Sequence, residues 1–440
     1  MASKGLMIAG LASGSGKTMV TLGLLRALAR RGKAPAAGKT GPDYIDSGFL
    51  SAAAGRKAVN LDQIAMSKPL LARLAADQAG DTLIIEGVMG LFDGASDNAG
   101  SSAALAEALA IPVILVMDIR HTAQTAAMIA AGIASLLPAG RIAGVILNHV
   151  ASPRHLALVS EALAAHQISL FGSVPSRDGL AVPSRHLGLV QAADFDNACL
   201  EVILDHAADL IDEYCDLDAI LDAAQGLPAA GKAVAALPLP LTNPQTINPP
   251  AKTIAVANDA AFGFAYHHLL AGWQQQGAEI RPFSPLNDEK PADDADFIFL
   301  PGGYPELHLP TLSTNCQFLA GLTKAATANI PIYGECGGYM VLGTGITDAS
   351  GNRFDMAGLL DVETSFANKK RHLGYRKFTP VEPFFWDGPF LGHEFHYTNV
   401  VSASGTPLFT AHDANDQPLG MAGLRKGSVA GSYLHIIAQS

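Results

Sequence analysis

Lys17 and Thr18 close a glycine- and serine-rich segment whose residue types suit the binding of nucleotide phosphates. The apolar run 6–9 precedes this segment and the amphipathic stretch 19–30 follows it, an order that predicts strand, phosphate loop and helix. Backbone N–H groups of such a loop point at phosphate oxygens, a lysine reaches the terminal phosphates, and a threonine hydroxyl suits Mg²⁺. The segment therefore predicts binding of ATP or GTP. The predicted nucleotide-binding residues of the loop are Gly10, Ser13, Gly14, Ser15, Gly16, Lys17 and Thr18.

Carboxylates follow this loop at places where the chain turns. Asp43 and Asp46 stand three residues apart after a Gly-Pro turn, and Glu86 ends a short apolar run. A carboxylate at the carboxyl end of a parallel strand projects into the crevice where open α/β sheets bind ligands, so Glu86 is a candidate Mg²⁺ ligand beside Thr18. The two aspartates could hold Mg²⁺ or meet a substrate. Turn chemistry alone is the alternative, because Asp is favoured in turns.

Apolar runs that end in polar residues alternate with helical stretches through the first half of the chain. The runs 111–118 and 142–148 show this pattern, and the alternation predicts a doubly wound parallel sheet. Asn148 closes the second run and is predicted to hydrogen-bond to a purine edge, although a residue that merely ends the strand would look the same. Asp93 lies in a glycine-flanked loop, where it could face either the substrate or solvent.

Cys336 stands between an apolar, strand-like run and a helix-like segment, and two glycines follow it directly. This order predicts a nucleophile elbow that carries cysteine, with the thiolate at a helix N-terminus. The other three cysteines lack such flanks, and we predict that they are inert. His435 is the predicted partner base, because a nucleophile of this kind needs one. Gly302 and Gly303 end another apolar run, and their N–H groups are predicted to form an oxyanion hole.

The composition restricts the classes of ligand that the protein can bind. The 440-residue chain carries 40 acidic and 29 basic side chains, for a net charge of −11, which argues against a nucleic-acid or membrane-surface binder. The four cysteines form neither a metal-ligand pattern nor a disulfide framework, which fits a reducing cytoplasm. No apolar stretch approaches the length that spans a bilayer, so we expect a soluble, cytoplasmic protein.

The length of the chain and one proline-rich stretch together predict two α/β domains. Residues 1–225 form the domain with the phosphate loop, and residues 253–440 form the domain with the cysteine elbow. The stretch 226–252 between them is rich in proline, which forbids helix or central strand, so we predict an extended linker.

Several motifs together resemble known families. The long phosphate loop is similar to that of dethiobiotin synthetase. The motifs around the cysteine resemble the class I, triad-type glutamine amidotransferase domain, whose fold is flavodoxin-like. These motifs are Gly-Glu-Cys336-Gly-Gly, Pro-Gly-Gly-Tyr-Pro305 and Tyr-Leu-His435. Nearly the whole chain resembles the cobyrinic or hydrogenobyrinic acid a,c-diamide synthases. The further motifs of that likeness are Gly-Pro-Asp43-Tyr-Ile-Asp46, Glu86-Gly-Val-Met-Gly-Leu-Phe-Asp93-Gly, Ser-Arg185-His-Leu-Gly-Leu and Gly392-His-Glu-Phe-His-Tyr397.

The resemblance implies an ATP- and Mg²⁺-dependent ligase of cobalamin biosynthesis that amidates the a and c acetate groups of a corrinoid. Cys336 would attack L-glutamine, with His435 as general base and then acid, and Gly337 would join the oxyanion-binding glycines. The released ammonia would travel to the first domain and displace phosphate from an acyl phosphate formed there. The residues implied to hold ATP and Mg²⁺ are Lys17, Thr18, Glu86 and Asp43.

A corrinoid with many carboxylates needs cations, despite the acidic character of the whole chain. The basic run 369–377 could provide them, although a charged run is more often a solvated face. Two histidines flank Glu394 and Phe395, a pattern that is weak evidence for zinc. The residues predicted to bind the corrinoid are Asp46, Asp93, Arg185, His186, Arg371 and Arg376.

The chain departs from the amidotransferase pattern at the acid expected two residues after the catalytic histidine. Ile437 stands there, so either a Cys–His dyad suffices or another group orients His435. The alternatives are a ParA/MinD-like switch ATPase, a cobyric acid synthase-like amidotransferase, and a binding module with an inactive cysteine site. Ala12 stands where the switch ATPases carry a signature lysine, which disfavours the first of these. The predicted assembly is a homodimer.

Overall fold

A computed structural model describes residues 3–78, 80–95, 98–176, 197–228 and 246–440. The chain forms two compact units that divide between residues 240 and 241. Each unit contains a parallel sheet with helices in its connections, which confirms the predicted α/β class. The domain bounds 1–225 and 253–440 stay predictions, and much of the predicted linker 226–252 lies outside the described residues.

The first unit is an eight-stranded sheet with helical connections. Its strands are β1 (Lys4–Gly10), β2 (Ala36–Thr40), β3 (Val59–Leu61), β4 (Thr82–Glu86), β5 (Val113–Asp118), β6 (Ile142–Val150), β7 (Leu170–Pro175) and β8 (Gln225–Gly226). Its helices are α1 (Lys17–Arg30), α2 (Tyr44–Ala54), α3 (Lys68–Ala76), α4 (Ser102–Ala108), α5 (Thr125–Leu136), α6 (Pro153–Ala165), α7 (Asn197–Tyr214) and α8 (Leu217–Ala223). The strand order is β3-β2-β4-β1-β5-β6-β7, all parallel, and β8 pairs antiparallel with β1.

The central strands of this sheet are apolar throughout because helices and loops cover both of their faces. In β1, for example, every residue from Leu6 to Ala9 is fully buried. Strands buried on both sides lose the usual alternation of polar and apolar residues and read as continuous apolar runs. Because the strands are parallel, the residues that end β1, β2 and β4 meet at one edge of the sheet, where such folds bind ligands.

Helix α7 covers the outer side of α1. The two backbones approach closely at Gly23, where an added Cβ would lie 2.4 Å from the carbonyl oxygen of Ala207. Leu204, Ala208 and Ile211 of α7 are buried in the same apolar core as α1. Basic residues of α1 pair with acidic residues of α7 along the contact. These pairs are Arg26 with Glu201 and Asp205, and Arg30 with Asp209.

The second unit combines parallel and antiparallel strands. Its strands are β9 (Thr253–Ala257), β10 (Glu279–Phe283), β11 (Phe297–Leu300), β12 (Ile332–Glu335), β13 (Gly345–Thr347), β14 (Arg353–Asp355), β15 (Val362–Ser365), β16 (His372–Pro380), β17 (Phe390–His396), β18 (Asn399–Ala403), β19 (Thr406–Asp413), β20 (Pro418–Lys426), β21 (Val429–Ser432) and β22 (Leu434–Gln439). Its α-helices are α9 (His267–Gln275), α10 (Leu309–Leu312), α11 (Cys316–Thr327) and α12 (Gly337–Leu342), and 3-10 turns span Pro285–Asn287 and Pro305–Leu307.

The main sheet of this unit has the order β10-β9-β11-β12-β21-β20-β19-β16-β17-β22. The strands from β10 to β21 run parallel, and the remaining pairs are antiparallel. A smaller sheet has the order β14-β13-β15-β18. This topology places the elbow after β12 and brings the last strand, β22, beside β17, although their sequences lie far apart.

The described end of the predicted linker is packed onto the second unit. The indole nitrogen of Trp273 donates to the carbonyl oxygen of Ile247 at 3.2 Å, and that of Trp386 donates to Asn248 at 2.9 Å. The two indole rings stack with centroids 5.9 Å apart. Residues 247 and 248 therefore belong to the structure of the second unit instead of an extended linker.

Two helices differ from the sequence prediction. The amphipathic pattern from Glu201 to Ala223 predicts one helix, but this stretch holds the end of α7 and all of α8, because the chain turns at Cys215 and Asp216. The Asp216 carboxylate accepts from the amide of Ala219 and so begins α8. The pattern from Phe264 to Gln276 likewise predicts a helix, but that helix begins only at His267, since Tyr266 is extended.

None of the helices within the described residues combines the length and the apolar composition needed to cross a membrane.

Candidate active sites

The cysteine elbow predicted around Cys336 is present. Strand β12 ends at Glu335, Cys336 has φ of 47° and ψ of −104°, and α12 begins at Gly337. A positive φ is strained for a residue with a side chain, and such strain is common at catalytic turns. Position 338, in the first turn of α12, needs glycine, because a Cβ there would lie 2.0 Å from the carbonyl oxygen of Leu300. The catalytic role of Cys336 itself remains a prediction.

The structure brings His435 of β22 to the elbow. A Cβ added at Gly302 would lie 2.3 Å from Cε1 of His435 and 3.3 Å from Cβ of Cys336, so Gly302 lies against both side chains. A Cβ at Gly337 would lie 3.1 Å from the amide nitrogen of Gly303. The five residues predicted for the cysteine site thus form one cluster, in which Cys336 is 4% exposed and His435 is 2% exposed.

Glu335 is the third ionisable group of this cluster. Its Oε2 lies 3.6 Å from Nδ1 of His435, and its Oε1 accepts from the amide of Ile436 at 3.1 Å. Burial would lower the pKa of His435, but interactions with Cys336 and Glu335 outweigh burial and raise this pKa to about 10. The environment of Cys336 and Glu335 therefore favours the protonated form of His435.

His393 faces the same cluster from the neighbouring strand. It pairs with His435 across β17 and β22, and it is 9% exposed. Burial, together with the charge of His435, lowers the pKa of His393 to about 3. His393 is therefore neutral at neutral pH, so a single imidazole of this pair carries the charge.

The phosphate loop lies between β1 and α1, as predicted. Gly14 and Gly16 have φ of 79° and 93°, conformations that favour glycine. A Cβ at Gly10 would lie 2.2 Å from Oγ of Ser15, so this glycine allows the loop to fold back on itself. Lys17 donates to the carbonyl oxygen of Ala12 at 3.0 Å, and burial lowers the pKa of Lys17.

Asn148 braces this loop. Its Nδ2 donates to the carbonyl oxygen of Ser15 at 3.1 Å, and its Oδ1 accepts from the amide of His149 at 3.0 Å. A Cβ at Gly16 would lie 2.1 Å from Nδ2, which shows how closely Asn148 approaches the loop. Asn148 lies within β6 and does not end it. The predicted contact with a purine edge stays untested.

Thr18 and Glu86 meet at the base of the loop. The Thr18 hydroxyl donates to Oε1 of Glu86 at 2.7 Å. No donor among the described residues reaches the other oxygen, Oε2, although it is buried. Burial raises the pKa of Glu86 to about 7, against the opposing charge of Lys39. A hydroxyl and a buried carboxylate with an unpaired oxygen fit the oxygen ligands that Mg²⁺ prefers.

Lys39 is a member of this site that the sequence analysis missed. It is the penultimate residue of β2 and almost completely buried, its Nζ lies 3.3 Å from Oε1 of Glu86, and it donates to Oδ2 of Asp46. Burial would lower its pKa, but the charges of Glu86 and Asp46 raise it, so Lys39 stays charged. Its position at the carboxyl end of a strand is the signal that could have identified it, since the same signal identified Glu86.

Asp43 and Asp93 fulfil structural roles near the loop. The Asp43 carboxylate caps α2 by accepting from the amides of Ile45 and Asp46 at 2.8 and 3.1 Å. Burial and the charge of Asp46 raise the pKa of Asp43 to about 6. Asp93 accepts from the amide of Gly90 at 2.8 Å. The predicted Mg²⁺ role of Asp43 and the predicted substrate roles of Asp46 and Asp93 remain untested.

The two arginines predicted to bind a corrinoid have different environments. Arg371 is exposed, whereas Nε of Arg376 lies 2.7 Å from Oε2 of Glu394. The other oxygen of Glu394 lies 3.0 Å from Nε2 of His396. Ligand atoms of His372, Glu394 and His396 lie within 4.8 Å of one another. Without a zinc ion, each carboxylate oxygen of Glu394 already has a side-chain partner, Arg376 for one and His396 for the other. Arg185 and His186 lie outside the described residues.

Comparisons with known proteins agree with both halves of this description. Residues 6–190 match the CobQ/CobB/MinD/ParA nucleotide binding domain, and residues 253–440 match the CobB/CobQ-like glutamine amidotransferase domain. A hydrogenobyrinate a,c-diamide synthase of Rhizobium meliloti is 49% identical, over 98% of this chain and 99% of the relative. Proteins of the same name from Brucella anthropi and Rhodobacter capsulatus are 48% and 45% identical. The match to the Brucella anthropi protein covers 99% of this chain and 98% of the relative, and the match to the Rhodobacter capsulatus protein covers 99% of each.

Proposed function

Since this chain belongs to the hydrogenobyrinate a,c-diamide synthase family, we propose that it amidates the a and c acetate carboxylates of hydrogenobyrinic acid. It is a ligase that forms C–N bonds with glutamine as amido donor, and it acts in cobalamin biosynthesis. The observation that carries the proposal is the buried contact of Cys336 and His435 around Gly302 in a chain that also holds a phosphate loop. The name of the relatives supports the cobalt-free acid over cobyrinic acid.

Ammonia is produced in the second unit. The nucleophile is the thiolate form of Cys336, which attacks the side-chain amide carbon of glutamine, and the oxyanion forms beside Gly302, Gly303 and Gly337. His435, whose pKa is raised by its interactions with Cys336 and Glu335, protonates the departing nitrogen. The role of His435 as general base stays a prediction. His435 then accepts a proton from the water that hydrolyses the thioester, and glutamate leaves.

The amide bond forms in the first unit. A carboxylate oxygen of the corrinoid attacks the γ-phosphorus of ATP, the bond to the β,γ-bridging oxygen breaks, and ADP leaves. Ammonia then attacks the acyl carbon of this acyl phosphate, and phosphate leaves. Lys17 and the loop amides hold the phosphates, and Thr18 and Glu86 would hold Mg²⁺. When bound there, Mg²⁺ neutralises phosphate charge and orients the phosphates for transfer.

The proposal is tested by incubating the purified chain with glutamine, Mg-ATP and either hydrogenobyrinic or cobyrinic acid. We expect two successive replacements of OH by NH2 on hydrogenobyrinic acid, detected by mass spectrometry, with one ADP formed per amide. Omission of ATP or of both nitrogen sources should leave the acid unchanged. Failure of both acids to gain an amide under these conditions would contradict the proposed function.

Arg371 offers a prediction about the corrinoid site. We expect Arg371→Ala to raise the KM for the corrinoid about two- to fivefold, the range of an exposed charge pair, without changing the KM for glutamine. The matched control is Arg353→Ala, since Arg353 is an exposed arginine of the same unit that pairs with Asp355 and Glu363. Steady-state kinetics with each substrate varied would reject the role of Arg371 if only the KM for glutamine rose.

Arg376 is also predicted to contact the corrinoid, but its replacement would leave the partly buried Glu394 without its guanidinium partner. Arg371 is therefore the cleaner test of the two. We also propose a homodimer and a cytoplasmic location for the protein, and the four free cysteines support the second of these.

A further inference from the structure

We infer that Glu335 is the residue that positions His435 for catalysis, in place of the acid that ordinary triad amidotransferases carry two residues after the histidine. This inference rests on the proposed glutaminase activity of the second unit. Glu335 directly precedes the nucleophile, so strand β12 and its elbow would supply both partners of the histidine. The usual position of the acid is occupied by Ile437, a buried apolar residue that is 1% exposed and cannot accept a proton.

The geometry of the carboxylate supports this role. Oε2 of Glu335 lies 3.6 Å from Nδ1 of His435, and the two side chains are 3% and 2% exposed. A buried carboxylate and a buried imidazole are each costly without a partner, and together they compensate each other. Interaction with Nδ1 keeps a proton on that nitrogen and leaves Nε2 for the reaction. Nε2 lies 3.2 Å from the position of a Cβ on Gly302, on the side of the elbow.

Backbone contacts fix Glu335 in this orientation. Oε1 accepts from the amide of Ile436 at 3.1 Å, so one carboxylate oxygen holds the strand that carries His435 while the other faces the imidazole. Glu335 pairs with Ser432 in the parallel contact of β12 and β21, and the amide of Cys336 donates to Ser432 at 2.8 Å. The side chain of Glu335 therefore links strand β12, which leads to the nucleophile, with strand β22, which carries His435.

The carboxylate of Glu335 lies beside the imidazole of His435, together with the sulfur of the nucleophile. The groups that face His435 are Glu335 from β12, Cys336 from the elbow and His393 from β17. His393 is neutral at neutral pH, for the reasons given above. During the reaction the proton moves from Nε2 of His435 to the departing nitrogen. The carboxylate of Glu335 stabilises the imidazolium before this transfer and holds the ring in place after it.

The variant Glu335→Gln tests this inference, because glutamine keeps an oxygen acceptor for the amide of Ile436 and removes the charge. We expect kcat for glutamine-dependent amidation to fall about 100-fold or more, with little change in the KM for glutamine. Activity with free ammonia should stay at the wild-type value. The matched control is Asp288→Asn, since Asp288 also accepts from a backbone amide, that of Phe318, but faces no catalytic group.

A pH profile separates positioning from a merely structural role. The carboxylate raises the pKa of His435, so its removal lowers that pKa, and the alkaline limb of kcat/KM for glutamine should move to lower pH by about one unit or more. A purely structural defect would lower the amplitude of the profile and leave the limb in place. Wild-type kcat and an unmoved alkaline limb in Glu335→Gln would overturn the inference.

A second variant keeps the test decisive if Glu335→Gln does not fold. Glu335→Asp retains the charge but draws it away from Nδ1, and we expect an intermediate kcat, about tenfold below the wild type. A wild-type kcat in Glu335→Asp, combined with a wild-type alkaline limb, would count against the inference. If the wild-type chain itself amidated the corrinoid with ammonia but not with glutamine, the proposed glutaminase activity would fail instead, which separates the two failures.

Discussion

The variant Cys336→Ser is expected to lose glutamine-dependent amidation by at least about a thousandfold and to retain amidation with free ammonia. The reason is that the sulfur nucleophile acts only in the release of ammonia, whereas the acyl phosphate forms in the other unit. Product formation from the corrinoid, measured with each nitrogen source in turn, gives the two rates. The fold should survive, because serine differs from cysteine by one atom.

Cys316→Ser is the matched control for this experiment. Cys316 lies in the same unit, at the start of α11, but it is exposed and its sulfur donates to the backbone oxygen of Thr314. We expect wild-type rates with both nitrogen sources from this variant. If Cys336→Ser lost the ammonia-dependent reaction as well, the proposed division of labour between the units would be wrong.

The variant Lys17→Ala is expected to lose amidation with both glutamine and ammonia, by about 100-fold or more, because the transferred phosphate loses its cationic partner. The nitrogen source should make no difference, since the defect precedes the arrival of ammonia. The same variant should lose the rise in unfolding temperature that Mg-ATP gives the wild type. Alkylation of Cys336 by iodoacetamide should proceed at the wild-type rate.

Lys33→Ala is the control for the loss of a lysine from the first unit. Lys33 is exposed in the turn after α1, away from the carboxyl ends of the strands. Normal amidation and a normal response of the unfolding temperature to Mg-ATP are expected for it. Substantial amidation by Lys17→Ala with either nitrogen source would exclude the phosphate loop as the site of ATP chemistry.

The sequence predicted the parts of both sites that depend on local order. Strand, glycine-rich loop and helix follow one another around Lys17, and strand, turn and helix surround Cys336. Such segments can be predicted because the residues that form them are neighbours in the chain. The parallel sheet in turn predicts that Glu86 lies near Thr18, since residues that end neighbouring strands share one edge.

The contacts that sequence reasoning missed depend on which distant strands become neighbours. Glu335 meets His435 only because β22 returns beside β17 and lies near the end of β12. The position of Lys39 near the end of a strand could have identified it, but a single lysine in a strand does not reveal that Glu86 and Asp46 lie beside it. Arg376 was assigned to the corrinoid from a basic run, and nothing in that run indicated its pairing with Glu394.

The contact of α7 with α1 sets a limit on where this protein can be cut. The nucleotide-binding match ends at residue 190, before α7, and β8 near residue 226 pairs with Lys4 and Gly5 of β1. A fragment that stopped at residue 190 would expose the apolar surface that Leu204, Ala208 and Ile211 cover, and would remove the β8 partners of Lys4 and Gly5 at the start of β1. Dissection of the enzyme into separately expressed halves therefore requires that the amino-terminal half extend through β8, since a shorter piece would be prone to aggregate.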